Sequence, residues 1–122
     1  MDTILWIAQV ILALLFLRLG LTHATRPESM RDRIPWMWAL PREAMLIIGI
    51  LDIVGAVGLI LPAVTRIQPW LTPLAALCLA ILMVFAIIFH ATRRELPNIA
   101  LNAILGLLAA FVAWGRFVAA PF

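Results

Sequence analysis

Lysine is missing from this chain, and charge of either sign is scarce. All nine basic residues are arginine, six residues are acidic, and charged side chains fill only 12% of the 122 positions. A soluble domain carries about 25% charged and about 45–50% apolar residues. With 66% hydrophobic residues and a mean hydropathy of +1.12, this chain cannot clothe a water-exposed surface, and a soluble globule is excluded. A single cysteine, Cys78, excludes an intrachain disulfide,. Lying within an apolar run, it reads as a small hydrophobe.

Recognisable catalytic machinery is also missing. There is no Cys-x-x-Cys, no glycine-rich phosphate loop, no nucleophile elbow and no pair of Glu-x-x-His motifs for a di-iron site,. The sequence therefore leans away from an independent enzyme. It requires no metal and no cofactor. A net charge of +3 and a pI near 11.1 would point to nucleic acid in a soluble protein. Here the arginines are scattered between apolar runs, so they read as orientation signals in a bilayer and not as a nucleic-acid surface.

What the chain does have is four apolar runs, over residues 4–21, 44–64, 70–89 and 99–115, the last belonging to a span over about 97–117. Each approaches the ~20 residues that a bilayer-crossing helix needs. Period-two alternation is absent, which argues against a barrel. The expected fold is all-α, an integral membrane four-helix bundle, with residues 1–122 forming a single transmembrane domain. The first run is a poor cleavable signal, because Asp2 replaces a basic leader and Arg18 interrupts the apolar stretch. Proline reads as punctuation: Pro27, Pro35 and Pro41 fall in the first connector, Pro62 and Pro69 bracket the second, and Pro73 and Pro97 open helices 3 and 4,. No proline is expected in mid-span, unlike the broken helices of many transporters.

Arginine placement predicts orientation. Arg26, Arg31, Arg33 and Arg42 flank or fill connector 1, and Arg93 and Arg94 fill connector 3, whereas the opposite side has Arg66 and Arg116. The positive-inside rule puts connectors 1 and 3 in the cytoplasm and both termini outside. Trp6, Trp70 and Trp114 then mark the outer interface and Trp36 and Trp38 the inner one. Residues 28–40 read as a short amphipathic stretch along the inner surface.

An ionisable group at mid-span costs roughly 2.5–3.5 kcal/mol on insertion scales, so it needs a partner or a role. Asp52, near the middle of helix 2, is the clearest case. It shares a face with Gly49 and Ala56, so it is expected at a close helix contact and not against lipid. Helix 4 carries Asn98, Asn102, Gly106, Ala109, Ala113 and Arg116 at spacings of three and four, a small and polar stripe,. The expected polar intramembrane pocket comprises Asp52, His90, Asn98, Asn102 and Arg18, with Gln9, His23 and Glu43 as secondary candidates. Gln9 and Arg18 lie nine residues apart, on opposite faces of helix 1, so both cannot point inward. Each residue also has a structural reading: Asp52 pairing with Arg18 or Gln9 to fix register, His90 capping its helix, the asparagines joining helices, and Arg18 snorkelling.

The stretch Gly49, Asp52, Gly55, Ala56, Gly58, Leu59, Leu61 and Pro62 resembles the DoxX-like family of small four-helix bacterial membrane proteins, whose pattern there is roughly G-x-x-E-x-x-G-A-x-G-L-x-L-P. Leu71, Thr72 and Pro73 resemble the start of that family's third helix, and Phe89, His90, Arg93, Arg94 and Glu95 its polar end. Asn98, Asn102, Trp114, Gly115 and Arg116 resemble its last helix. Two positions depart from the pattern: Asp52 stands for the usual Glu, and His23 for the usual Lys. The family name comes from a subunit associated with thiosulfate:quinone oxidoreductase, and other members are linked to membrane oxidoreductase assemblies. The resemblance thus implies an accessory role in quinone-linked redox metabolism at the bacterial inner membrane. Its expected partners are the lipid bilayer and membrane oxidoreductase subunits, with room for a homo-oligomer, and quinone is the one cofactor suggested. The other reading is a carrier of lipid or small hydrophobic molecules, or an assembly factor, with no redox role.

Overall fold

The computed structural model describes residues 1–25 and 39–122. Arg26, Arg31, Arg33, Trp36 and Trp38 lie outside the described residues, as does nearly all of the expected amphipathic stretch over 28–40. The described residues form four α-helices: α1 (Asp2–Thr25), α2 (Arg42–Thr65), α3 (Leu71–Thr92) and α4 (Leu96–Trp114), followed by a π-helical turn over Gly115–Ala119. No strand occurs among them. A helix of 24 residues, such as α1 or α2, is about 36 Å long, enough to cross a hydrocarbon core of about 30 Å. All four helices are long and apolar enough to span a membrane, counting α4 through Ala119.

The bundle is apolar outside as well as inside. Leu12, Phe16, Leu59, Leu79, Ala109 and Val112 form its centre, while Leu14, Val54, Phe85 and Leu107 are among many large side chains exposed on its surface. In water such a surface would drive aggregation; in a bilayer it is solvated by lipid chains. Cys78 is exposed on this outer surface rather than enclosed in the core.

Helix α1 packs chiefly on α2 and α3 chiefly on α4, with α2 against α3 joining the two pairs. The first pair closes through glycine. A Cβ on Gly49 would stand 2.6 Å from the Ala24 nitrogen and 2.7 Å from the Gly20 carbonyl oxygen. Apolar surface gains little by moving from lipid to another helix, so close backbone contact of this kind is what holds membrane helices together.

Connectors alternate between the two ends. One end holds both termini and the α2–α3 connection; Trp6, Trp70 and Trp114 all lie there. The other, which we call the histidine end, holds the last turns of α1 and α3 and the first turns of α2 and α4. Its α3–α4 turn is tight: Arg93 caps α3, Arg94 adopts a left-handed φ of 56°, and Glu95 precedes α4, whose first turn contains Pro97.

Pro62, which brackets the second connector in the sequence, lies in the last turn of α2. Helix α2 runs through it and ends three residues later, at Thr65, with Arg66 left-handed as the cap (φ 59°). Proline removes the N–H that would bond the carbonyl four residues back, which is that of Gly58. The hydroxyl of Thr72 in α3 donates to that same Gly58 oxygen at 3.0 Å. A neighbouring helix therefore satisfies the carbonyl that the proline releases, the usual condition for proline inside a membrane helix.

Candidate functional site

Gly20 and His23 lie three residues apart on one face of α1, as Gly49 and Asp52 do on α2. Helical side chains lean toward the N-terminus of their own helix. The antiparallel pairing therefore tilts the His23 ring into the bundle and the Asp52 carboxyl toward the histidine end. They meet at 3.0 Å between His23 Nδ1 and Asp52 Oδ2. Asp52 is 1% exposed. Its second oxygen, Oδ1, is buried and has no hydrogen-bond partner, an unusual state for a carboxyl group, which ordinarily finds partners for both oxygens.

That carboxyl lines a cavity of about 480 Å³ to which all four helices contribute. His23 enters from α1, Asp52 from α2, His90 from α3, and Asn98 and Asn102 from α4, while Leu19, Ile48, Met83, Phe89 and Leu101 supply apolar wall. His90 is buried, and its Nδ1 lies 2.9 Å from Oε1 of Glu95 in the α3–α4 turn. Arg93 donates from Nε to the same oxygen at 3.1 Å. Burial works against the charged form of Glu95. The hydrogen bonds from His90 and Arg93, with the charge of the guanidinium, outweigh it and hold the carboxyl below the usual carboxylate range,. The tight turn thus fixes the His90 ring.

Four of the five expected pocket residues line this cavity: Asp52, His90, Asn98 and Asn102. Arg18 does not. It is exposed, because nine residues at about 100° each put it opposite Gln9, and Gln9 takes the inward face. Glu43 is exposed in the first turn of α2 and lies outside the cavity lining. His23 holds the place beside Asp52 that the sequence reading offered to Arg18 or Gln9. Sequence reasoning passed over Glu95; its position five residues after His90, just past a helix end, was the available signal.

Gln9 belongs to a second polar cluster, at the terminal end. Arg116, read from sequence as an orientation signal, is 2% exposed. Its Nε donates to Gln9 Oε1 at 2.7 Å, and its Nη1 donates to Asp2 Oδ1 at 2.7 Å and to the Ala120 carbonyl at 2.9 Å. Gln9 Nε2 donates in turn to the Leu59 carbonyl at 2.9 Å. The guanidinium lies 4.1 Å from the Phe122 ring centroid and 5.6 Å from that of Trp6. Arg116 is buried in line with Ala109 and Ala113, so the small and polar stripe of α4 does face the bundle interior,.

Four apolar spanning helices around a shared interior define a multi-pass membrane protein, whose environment is a lipid bilayer. The chain belongs to the DoxX-like family, which it matches over residues 7–112. No curated protein and no solved structure matches it.

Proposed function

We propose that the cavity at the histidine end binds the polar head of a neutral, membrane-soluble molecule of the quinone type, and that the protein serves as an accessory subunit of membrane redox metabolism. The observation that carries this reading is Asp52, whose side chain lines a space walled mostly by apolar side chains and whose buried Oδ1 has no hydrogen-bond partner. A ligand hydroxyl could donate to it. The amides of Asn98 and Asn102 offer donors to ring carbonyls, and the imidazoles of His23 and His90 line the same space,. A carboxyl stands in the wall, which works against an anionic phosphate or fatty-acid head. DoxX-like membership supports the quinone-linked role. The carrier reading, without redox partners, rests on the apolar walls, which suit any neutral hydrophobic guest.

Purification in a gentle detergent, followed by visible spectra and mass spectrometry of the lipid extract, is expected to find a copurified quinone or a partner oxidoreductase. Clean spectra with bulk phospholipid alone would refute the redox reading. Asp52→Asn is expected to abolish ligand retention with little loss of thermal stability; retained ligand with a lowered melting temperature would make Asp52 a packing residue. The inner membrane, with both termini outside the cytoplasm, is the topology that the arginines support. A periplasm-dependent reporter fused after Phe122 should be active, and activity of a cytoplasm-dependent one would reverse the orientation.

A further inference from the structure

A second hollow, an apolar groove of about 550 Å³, runs along α2 and α3 toward the terminal end. It begins where the cavity stops. Leu82 and Phe85 line both spaces, so the two adjoin at that pair. At the floor of the groove Gly55 and Gly58 let α2 pack closely on Leu79 and Ala75 of α3, and Cys78 lies on its wall between the junction and Ala75. Phe85, at the junction, is 65% exposed on the outer surface. The groove thus opens sideways into the hydrocarbon region, where a chain can enter.

We infer that cavity and groove form one site for a molecule with a neutral hydrogen-bonding head and a single long hydrocarbon tail. The head lies against Asp52, and the tail lies between α2 and α3 across Leu82 and Phe85 to Cys78. This rests on the head-group reading above and adds the tail. Cys78 and His90 are twelve residues apart in one helix, about 18 Å along its axis. A short tail therefore stops before Cys78 and a long prenyl tail passes it. The tail is committed as that of the quinone-type ligand, because a phospholipid or fatty acid would bring an anionic head to the Asp52 carboxyl.

The test uses the whole protein in phosphatidylcholine nanodiscs with three probes kept in the reduced, hydroquinone form, whose hydroxyls can donate to Asp52: a tail-less benzohydroquinone, a decyl-tailed analogue, and a long prenyl-tailed one carrying a diazirine at the tail. Cys78→Phe fills the groove from its exposed rim and is compared with wild type probe by probe, so that partitioning into the bilayer cancels. The long-tailed probe is expected to bind the wild type roughly tenfold more tightly than Cys78→Phe, each tenfold reading as about 1.4 kcal/mol, while the tail-less probe binds both alike. Photolysis should place adducts on peptides carrying Leu74 and Cys78. Three results would overturn the inference: equal long-tail binding by the two proteins, adducts spread evenly over all lipid-facing helices, or equal displacement of the probe by palmitate or phosphatidylglycerol. Tail-less binding that depends on Asp52, without any effect of the groove, would defeat the tail alone. Absence of Asp52-dependent binding by any probe would defeat the head reading and the tail together. Should Cys78→Phe fail to fold, the adduct map on the wild type decides.

Discussion

The two ends of this bundle bury similar polar chemistry and do opposite things with it. At the terminal end, Arg116 spans Gln9, Asp2 and the Ala120 carbonyl and is flanked by two aromatic rings, so the helix ends and the C-terminal turn close on one another. At the histidine end, Asp52 lines an open space, with one oxygen on His23 and the other buried without a partner. Buried polar groups that satisfy one another knit helices together. Those that leave an acceptor over a cavity keep a hydrogen bond in reserve for something else. The contrast is not complete, since Arg116 Nη2 is buried without a partner as well. That nitrogen, however, does not line either of the two hollows described here.

The comparison can be tested through stability. Removing the guanidinium in Arg116→Ala should have the largest effect, about 2–4 kcal/mol, because a buried side chain is lost and Gln9 is stranded. The exposed position of Asp2 limits what that ion pair adds,. Thermal melting in detergent would show it, and an unchanged melting temperature would dissolve the distinction between the ends. Gly49→Ala comes next. The added methyl collides with the backbone of Ala24 and Gly20, so the α1–α2 pair must part at a cost of about 1–3 kcal/mol. It should also move His23 off Asp52, which crosslinking between the paired helices would detect as a widened gap.

The smallest effect is expected from acid. Glu95 titrates lower in the folded protein than its ordinary value of 4.5. Its stabilising contribution is therefore complete above that value and lost as pH falls below it, through the depressed folded value. A melting temperature followed downward from pH 6 should fall more steeply in the wild type than in Glu95→Gln. Identical slopes would detach His90 from the turn that positions it.

Much of the architecture was legible along the chain. Four apolar runs with arginines between them leave few alternatives to a membrane bundle, since a bilayer demands helices long enough to cross it and satisfied within themselves. Asp52 stood out because charge at mid-span is costly, and the α4 stripe because its spacing is helical. The partners did not stand out. Gln9 and Arg116 are separated by most of the chain, and no local pattern links them. His23 is only a secondary pocket candidate in the sequence, and the Gly20–Gly49 contact brings it to Asp52. Pro62 looked like a stop because its missing N–H has a visible local consequence, whereas the Thr72 hydroxyl that compensates it comes from another helix.

From sequence alone came the class of protein, the number of spans, the inward face of α4 and the singularity of Asp52, all consequences of local composition and helical period. Tertiary structure decided which polar residues meet, that Gln9 and not Arg18 faces inward, and that the Asp52 carboxyl in the cavity wall keeps one oxygen without a partner. The reason is physical. Hydropathy and periodicity act along one helix, but hydrogen bonds between helices depend on rotation and depth, and these follow from how closely the backbones pack.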